Sequence, residues 1–191
     1  MIKLLSKNQQ LALALRLFIV MGVSGSGKTA VGRKLAKGLN KQADFEFLDA
    51  DDFHSPQAKE RMAANLPLDD TMRKPWVAAI MSKLVELNTQ QKNVVLAFSG
   101  LKLQHRKCFR TLNFHCHYYY LSADMAIIES RLLARKNHFF SSKLLTSQFL
   151  AMQEIDNNEK DITKIDVSCS FAQVYNRIFT LAQLELTKEL P

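Results

Sequence analysis

Residues 22–29 read GVSGSGKT, a complete G-x-x-x-x-G-K-[ST] phosphate-binding loop. Its glycines adopt positive φ angles readily and have no Cβ to hold a polyphosphate away, so consecutive backbone N–H groups can point at one anion. In this motif Lys28 supplies positive charge to the β- and γ-phosphates, and the hydroxyl of Thr29 binds Mg²⁺. The residues predicted to bind the nucleotide here are Gly22, Val23, Ser24, Gly25, Ser26, Gly27, Lys28 and Thr29.

The segments on both sides of this loop have the pattern that the motif requires, a strand before it and a helix after it. Residues 17–21, Leu-Phe-Ile-Val-Met, are an apolar run of strand formers. After the loop, Val31, Leu35 and Leu39 recur every four residues, as they do on one face of a helix. A chance Gly/Ser turn is the alternative explanation, and both flanks disfavour it.

Composition indicates an ordinary folded protein. The 191 residues are 47% hydrophobic and 23% charged, enough for one domain with a small inserted lid. The net charge of +8 is spread out, without a run of five basic residues, which favours small anions over nucleic acid as ligands. Residues 1–16 are expected to form an N-terminal extension, and residues 17–191 a single domain.

Cysteine usage and hydropathy point to a cytoplasmic location. The 3 cysteines include no C-x-x-C pair, which predicts reduced thiols. No stretch reaches membrane-spanning length. The apolar segment 11–21 is short, and its cleavage as a signal peptide would remove the first predicted strand. We therefore expect neither a signal peptide nor a membrane anchor.

Predicted strands and helices alternate along the chain, which gives a parallel sheet with helices on both faces and a ligand site beyond the carboxyl ends of the strands. The fold class expected is α/β, with three α/β/α layers and a small helical lid at about 131–150. Strands are predicted at 17–22, 45–49, 93–98, 114–121 and 162–167, and helices at 28–40, 55–65, 71–89, 101–112, 124–135, 142–153 and 170–188.

Acidic side chains follow the second predicted strand, in the sequence DADDFH at 49–54. Alternation places Asp49 and Asp51 on one side of the strand if it continues to residue 51. Beside a phosphate-binding loop, one carboxylate can bind Mg²⁺ and another can accept the proton of an attacking hydroxyl. An acidic helix-capping turn is the structural alternative.

Basic residues lie near the same predicted edge of the sheet. Arg73 falls in the first turn of a long helix that is predicted to be capped by Asp70. The positive charge of Arg73 opposes the helix dipole at that end. This unfavourable placement suggests that Arg73 binds a carboxylate. Lys102, with His105 and Arg106, adds positive charge after the third strand. Surface salt bridges and a solvated face are the alternatives.

Two further patterns each allow two interpretations. Arg131 and Arg135 lie four apart on one helix, which suggests a lid that neutralises phosphates, with favourable cations at a helix end as the alternative. His115 and His117 share a strand face while Cys116 points the other way, so a strand is favoured over a metal site. The single tryptophan, at position 76, is assigned to core packing.

Together, four segments resemble gluconokinases of the small phosphate-loop type. They are MGVSGSGKTAV at 21–31, LDADDFHSPQAKERMAANLPLDDTMRKPW at 48–76, FSGLKLQHR at 98–106 and ESRLLARKNHFF at 129–140. The second and fourth are more specific than the phosphate-binding loop. The resemblance implies a nucleoside-monophosphate-kinase-like fold, with five parallel strands in the order 2-3-1-4-5. It also implies transfer of the γ-phosphate of ATP to the 6-hydroxyl of D-gluconate.

The resemblance also implies residue roles. Catalysis is assigned to Lys28, Asp51 and Arg135, with Asp51 orienting and deprotonating the sugar hydroxyl. Binding of the sugar acid is assigned to Asp51, His54, Arg73 and Lys102.

For the nucleotide, the resemblance implies that Arg131 and Arg135 reach adenine and phosphates from the lid. It places Asp49 near Mg²⁺, with Thr29. The partners implied are ATP, Mg²⁺ and D-gluconate, with no nucleic acid and no membrane. A homodimer is left open.

The chain departs from the family pattern at several positions but keeps the nucleotide motif. Two alternatives therefore stay open: another small-acceptor kinase, for shikimate or a nucleotide, and a non-catalytic nucleotide-binding regulatory protein. The departures are Ala50, Met72, Gly100, His105, Lys107, Asn137 and Ile155.

Overall fold

The computed structural model describes residues 15–64, 66–134 and 142–188. Its five strands form one parallel sheet in the order β2-β3-β1-β4-β5. The predicted α/β class and strand order are confirmed. The strands are β1 Arg16–Met21, β2 Phe45–Asp49, β3 Asn93–Phe98, β4 His115–Ser122 and β5 Ile162–Asp166.

Seven α-helices occur among the described residues, and none of them is both long and apolar enough to span a bilayer. A short 3₁₀ turn, Ala50–Phe53, follows β2. The helices are α1 Lys28–Leu39, α2 Pro56–Ala63, α3 Asp70–Thr89, α4 Leu103–Phe109, α5 Met125–Leu133, α6 Ser142–Ala151 and α7 Phe171–Thr187.

The central strand β1 is buried on both faces. Phe18 and Val20 belong to the core layer that also contains residues of α1 and α7, whereas Leu17 and Ile19 belong to the layer that contains residues of α3. Successive side chains of a strand point to opposite faces, so a strand covered on both sides needs a continuous apolar run. That run carries the chain directly into residues 22–29.

Arg16 belongs to the first strand of the sheet. Residues 1–16 were expected to precede the domain, but Arg16 is the first residue of β1 and lies opposite His115 of β4. Its backbone N–H donates to Asn93 Oδ1 at 2.8 Å, and its side chain is buried. Residues 1–14 of the predicted extension lie outside the described residues.

The residues that cap two of the helices can be compared with the predicted caps. Ser55 caps α2, its Oγ accepting from Ala58 N at 3.1 Å, and Pro56 is the first helical residue. The prediction that Asp70 caps α3 is wrong. Asp69 has extended backbone and accepts from the Met72 N–H at 2.9 Å, so Asp70 becomes the first residue of the helix.

The loop between β3 and α4 is longer than predicted, because α4 covers seven residues instead of the twelve expected at 101–112. Gly100 has φ +65° in this loop, and a Cβ there would lie 2.6 Å from Met21 Sδ. A side chain there would require Met21 to shift and is disfavoured by the positive φ. The loop lies directly on the end of β1, beside the phosphate-binding loop.

His115, Cys116 and His117 are strand residues, as predicted. The ring nitrogens of both histidines approach the Glu185 carboxylate of α7, at 3.9 Å for His115 and 3.6 Å for His117. Cys116 packs in the opposite layer, and burial raises the pKa of its thiol to about 12. These groups lie at the amino-terminal edge of the sheet, away from the phosphate-binding loop.

Candidate functional site

The phosphate-binding loop connects β1 to α1, in the context that the motif requires. Gly22 has φ +145°, and a Cβ there would lie 2.6 Å from the carbonyl oxygen of Leu121. α1 begins at Lys28, so the amide groups of its first turn and the positive end of its dipole face the loop. Lys28 Nζ donates to the Val23 carbonyl oxygen at 2.9 Å, which folds the lysine back along the loop.

The two acidic residues after β2 are arranged differently from the prediction. The strand ends at Asp49, and the 3₁₀ turn follows at once, so strand alternation does not relate Asp49 to Asp51. Asp49 Oδ1 accepts from the Asp51 N–H at 3.1 Å and caps the turn. The turn leaves the Asp51 side chain 77% exposed at the mouth of the central cavity.

This cavity measures about 460 Å³ and lies beyond the carboxyl ends of the strands. Its volume falls within the range of roughly 300–1,000 Å³ that is typical of small-molecule sites. α2 and α6 contribute apolar wall residues, including Met62 and Leu144. The polar and charged residues that line it are Ser24, Lys28, Asp51, His54, Lys59, Arg73, Ser99, Ser147 and Gln148.

His54 and Trp76 form one wall as a stacked pair, with ring centroids 4.4 Å apart. Trp76 is in the core, as predicted, but its Nε1 also donates to the Ala50 carbonyl oxygen at 2.7 Å and so fixes the turn that carries Asp51. Sequence reasoning missed this second role. Trp76 lies three positions after Arg73 on α3, and that spacing places both on one side of the helix.

His54 is buried and neutral at neutral pH. Burial lowers the pKa of its imidazole, and the charges of Lys59 and Arg73 lower it further, whereas Asp51 opposes them. Its Nδ1 is buried without a hydrogen-bond partner among the described residues. Because a buried polar atom is costly to leave unpaired, this nitrogen is suited to a ligand hydroxyl.

Arg73 and Lys102 meet at Asp70, a residue to which sequence reasoning gave only a capping role. Asp70 Oδ1 lies 3.0 Å from Arg73 Nη1 and also accepts from Lys102 Nζ. Hydrogen bonds from Lys102 and Arg73 lower the pKa of this carboxyl. The shared carboxylate holds two cations from different elements side by side and leaves one net positive charge among the three groups.

The predicted lid residues are only partly described. The Arg131 guanidinium donates to the carbonyl oxygens of Val167 and Cys169, so it lies on the loop after β5 and does not line the central cavity. Arg135 lies outside the described residues. The roles of both arginines at adenine and phosphates stay predictions.

Comparisons with known proteins show the family of this chain. The model of the AAA domain family matches residues 17–155. The thermoresistant gluconokinase of Escherichia coli (strain K12) is 38% identical over 151 residues, which cover 79% of this chain and 84% of that protein. The chain belongs to the gluconokinase family. The thermosensitive gluconokinase of the same strain is 36% identical, with 82% of each chain covered.

A solved structure extends the similarity to the gluconokinase fold. The crystal structure of a gluconokinase from Sinorhizobium meliloti 1021 matches with a TM-score of 0.77 at 29% identity. The match covers 88% of this chain and 93% of that one. The sheet and its helices therefore correspond across nearly the whole length of both proteins.

None of the described positions at which this chain departs from the gluconokinase pattern lines the central cavity. His105 is buried, with its ring edge-on to Trp76 and Phe98. Burial lowers its pKa, and Arg73 and Lys102 lower it further. Ile155 packs against the α3 core layer. Asn137 lies outside the described residues.

A buried ion pair supports the loop that carries Lys102. Arg106 is fully buried, and its Nε and Nη2 donate to the two carboxylate oxygens of Glu159 at 2.9 and 2.7 Å. Its Nη1 donates to the Gly100 carbonyl oxygen at 2.9 Å. The prediction that Arg106 adds positive charge to the site is therefore wrong, because Glu159 neutralises it.

Glu159→Gln is expected to remove an acid-sensitive part of the stability. Burial opposes ionisation of Glu159, but hydrogen bonds from Arg106 and Arg110 outweigh it and hold its pKa at about 2, below the usual 4.5. A lowered pKa stabilises the fold above pH 4.5, and this contribution is lost between about pH 4.5 and 2. The shift corresponds to about 3 kcal/mol.

The check is denaturant unfolding of both proteins between pH 7 and pH 3. We expect Glu159→Gln to be less stable at pH 7 by about 3–5 kcal/mol, because two buried or half-buried guanidinium groups lose their shared carboxylate. Its stability should also fall less steeply with acid. Glu46→Gln, at an exposed position of β2, is the matched control. Equal acid dependence in the wild type and Glu159→Gln would contradict this account.

Proposed function

We propose that this chain transfers the γ-phosphoryl group of ATP to the 6-hydroxyl of D-gluconate and releases ADP and 6-phospho-D-gluconate. The observation that carries the proposal is that Lys28, Asp51 and Arg73 line one cavity. A phosphate-binding cation, a carboxylate that can accept a proton and a carboxylate-binding arginine are the three groups that this reaction needs.

On the phosphate side, the chain's task is to hold charge in place. The N–H groups of Gly22, Ser24 and Ser26 donate within the protein. Other amides of the loop and the Lys28 side chain bind the phosphates and bring positive charge to the transferred group. Thr29 and Asp49 are the residues that would hold Mg²⁺, since both present oxygen donors at the same end of the sheet. When bound, Mg²⁺ offsets negative charge on the β- and γ-phosphates.

On the acceptor side, Asp51 orients the attacking hydroxyl and accepts its proton. The Nδ1 of His54 forms a hydrogen bond with a second hydroxyl of the polyol. Arg73 and Lys102 bind the gluconate carboxylate, and Asp70 holds both in place before the substrate arrives. The apolar wall from α2 and α6 excludes water, which would otherwise compete as acceptor.

Arg73→Lys is expected to raise the KM for gluconate by about tenfold or more while the KM for ATP stays unchanged. A lysine keeps the charge but cannot bind a carboxylate with two parallel hydrogen bonds while also contacting Asp70. Steady-state kinetics in each substrate checks this. The reciprocal swap Lys74→Arg, at the neighbouring exposed position, is the control. An unchanged gluconate KM in Arg73→Lys would remove Arg73 from the acceptor site.

The reaction itself is tested by ADP release from ATP with gluconate, shikimate, glycerate and nucleoside monophosphates as acceptors. We expect the highest kcat/KM with gluconate. A higher value with shikimate or a nucleotide would make the chain another small-acceptor kinase. Tight ATP binding without turnover on any acceptor would indicate a regulatory protein.

A further inference from the structure

A two-point contact joins α6 to the phosphate-binding loop. Gln148 Oε1 accepts from the Ser24 N–H at 2.7 Å, and Gln148 Nε2 donates to Ser24 Oγ at 3.0 Å. Both polar ends of one carboxamide are thus satisfied by one residue 124 positions away. No sequence motif includes Gln148.

The position of this contact connects the two halves of the cavity. Gln148 and Ser24 line the same space as Lys28 and Asp51. Gln148 therefore borders the same space as the lysine of the phosphate-binding loop and the proposed base. The other face of α6 is anchored, because Leu145 is 1% exposed and packs in the core.

The same helix forms part of the acceptor wall. Leu144, Ser147 and Ala151 line the same cavity as Asp51 and Arg73. α6 is also in contact with α5. The hydrogen bonds from Gln148 to Ser24 therefore set the distance between this wall and the phosphate-binding loop.

A carboxamide suits this position for an electrostatic reason. A glutamate would be nearly the same size and could also accept from the Ser24 N–H, but it would place a negative charge beside the terminal phosphate. Glutamine makes the contact without that repulsion. The neutrality of the side chain matters for a triphosphate more than for a diphosphate, because the γ-phosphate lies farthest toward the acceptor.

We propose that Gln148 is a positioning residue for phosphoryl transfer: through Ser24 it holds α6 against the acceptor cavity and places a neutral amide beside the terminal phosphate. This inference rests on the proposed function for its acceptor, gluconate. Its nucleotide part concerns only the binding of ATP and ADP and stands without that function.

Gln148→Ala removes both hydrogen bonds. We expect the gluconate KM to rise and kcat to fall, each by about tenfold, because the α6 wall is no longer held at the phosphate-binding loop. The affinity for ADP, measured by isothermal titration calorimetry, should change less than about twofold, because the loop amides that bind the β-phosphate are untouched. Leu150→Ala, at a position of α6 that is 83% exposed, is the matched control.

Gln148→Glu keeps the size of the side chain and the bond to the Ser24 N–H but adds charge. We expect the affinity for a non-hydrolysable ATP analogue to fall about tenfold or more, and that for ADP to fall much less. A residue with only a structural role would not separate the two nucleotides. Thermal unfolding of both variants establishes that they are folded at the assay temperature.

The outcomes separate this inference from the proposed function. Gluconate kinetics in Gln148→Ala equal to those of Leu150→Ala would overturn the inference, as would an equal loss of ADP and gluconate affinity. Equal weakening of the ATP analogue and ADP in Gln148→Glu would also overturn it. A wild-type protein that binds ATP but does not phosphorylate gluconate would refute the proposed function instead, and the two nucleotide titrations would still decide the role of Gln148.

Discussion

Lys28→Ala is expected to lower kcat/KM for gluconate phosphorylation by at least about a thousandfold, the scale of losing one charged group that stabilises the transition state. Lys28 is the cation that the phosphate-binding loop provides, and its Nζ lies against the Val23 carbonyl oxygen within that loop. Negative charge shifts among the phosphate oxygens as the phosphoryl group moves. A lysine aimed at those oxygens lowers the barrier more than it strengthens ground-state binding.

The fold should tolerate this change. Lys28 is the first residue of α1, and alanine is the best helix former. Lys37→Ala, an exposed lysine in the last turn of the same helix, is the control for altered charge and should retain full activity. ADP release measured in a coupled assay decides the matter. Near wild-type turnover by Lys28→Ala would show that the loop does not act on the transferred phosphate.

The central strands of the sheet could be predicted from the sequence because they are buried on both faces. β2 and β3 have the predicted bounds, 45–49 and 93–98. β3 is a continuous apolar run bounded by polar residues, and a run of that length leaves little freedom in where the strand begins or ends. The start of α2 was equally clear, since Ser55 and Pro56 each act through their own backbone neighbours.

The local start of α3 shows where this reasoning fails. Asp69 and Asp70 are adjacent and chemically identical, so propensity alone does not decide which of them caps the helix. The structure places Asp69 at the cap because Asp70 has other partners, Arg73 and Lys102. Lys102 lies 32 positions away, and a choice made by a distant residue leaves no local signal.

The parts of the site that sequence reasoning missed depend on the same kind of distant contact. Gln148 meets Ser24 across 124 positions, and Arg106 meets Glu159 across 53. A glutamine on an amphipathic helix and a basic residue after a strand have no pattern that names a partner. The phosphate-binding motif and the ends of the predicted strands indicate which edge of the sheet is functional. Which side chains pair at that edge depends on contacts between distant residues, and these form only in the folded protein.

Asp51→Asn is expected to lower kcat by about 10²–10⁴, the usual contribution of a general base, while ATP binding is largely retained. The asparagine has nearly the same shape but cannot accept the proton of the sugar hydroxyl. Asp51 is outside the phosphate-binding loop, and its backbone N–H, which donates to Asp49, is unaffected by the change. Asp52→Asn, at the next and also exposed position, is the matched control.

His54 is the competing candidate for the base, and the two assignments give opposite results. Its Nε2 is 3.9 Å from Asp51 Oδ1, and burial keeps its imidazole neutral, so it has the capacity to take a proton. However, proton transfer to His54 would produce a charged imidazolium, which burial disfavours. The Asp51 side chain lines the cavity and is exposed, so burial does not oppose its role as the base. In single-turnover assays His54→Gln should therefore weaken gluconate binding and spare much of the transfer rate. A normal rate in Asp51→Asn together with a lost rate in His54→Gln would move the base to the histidine.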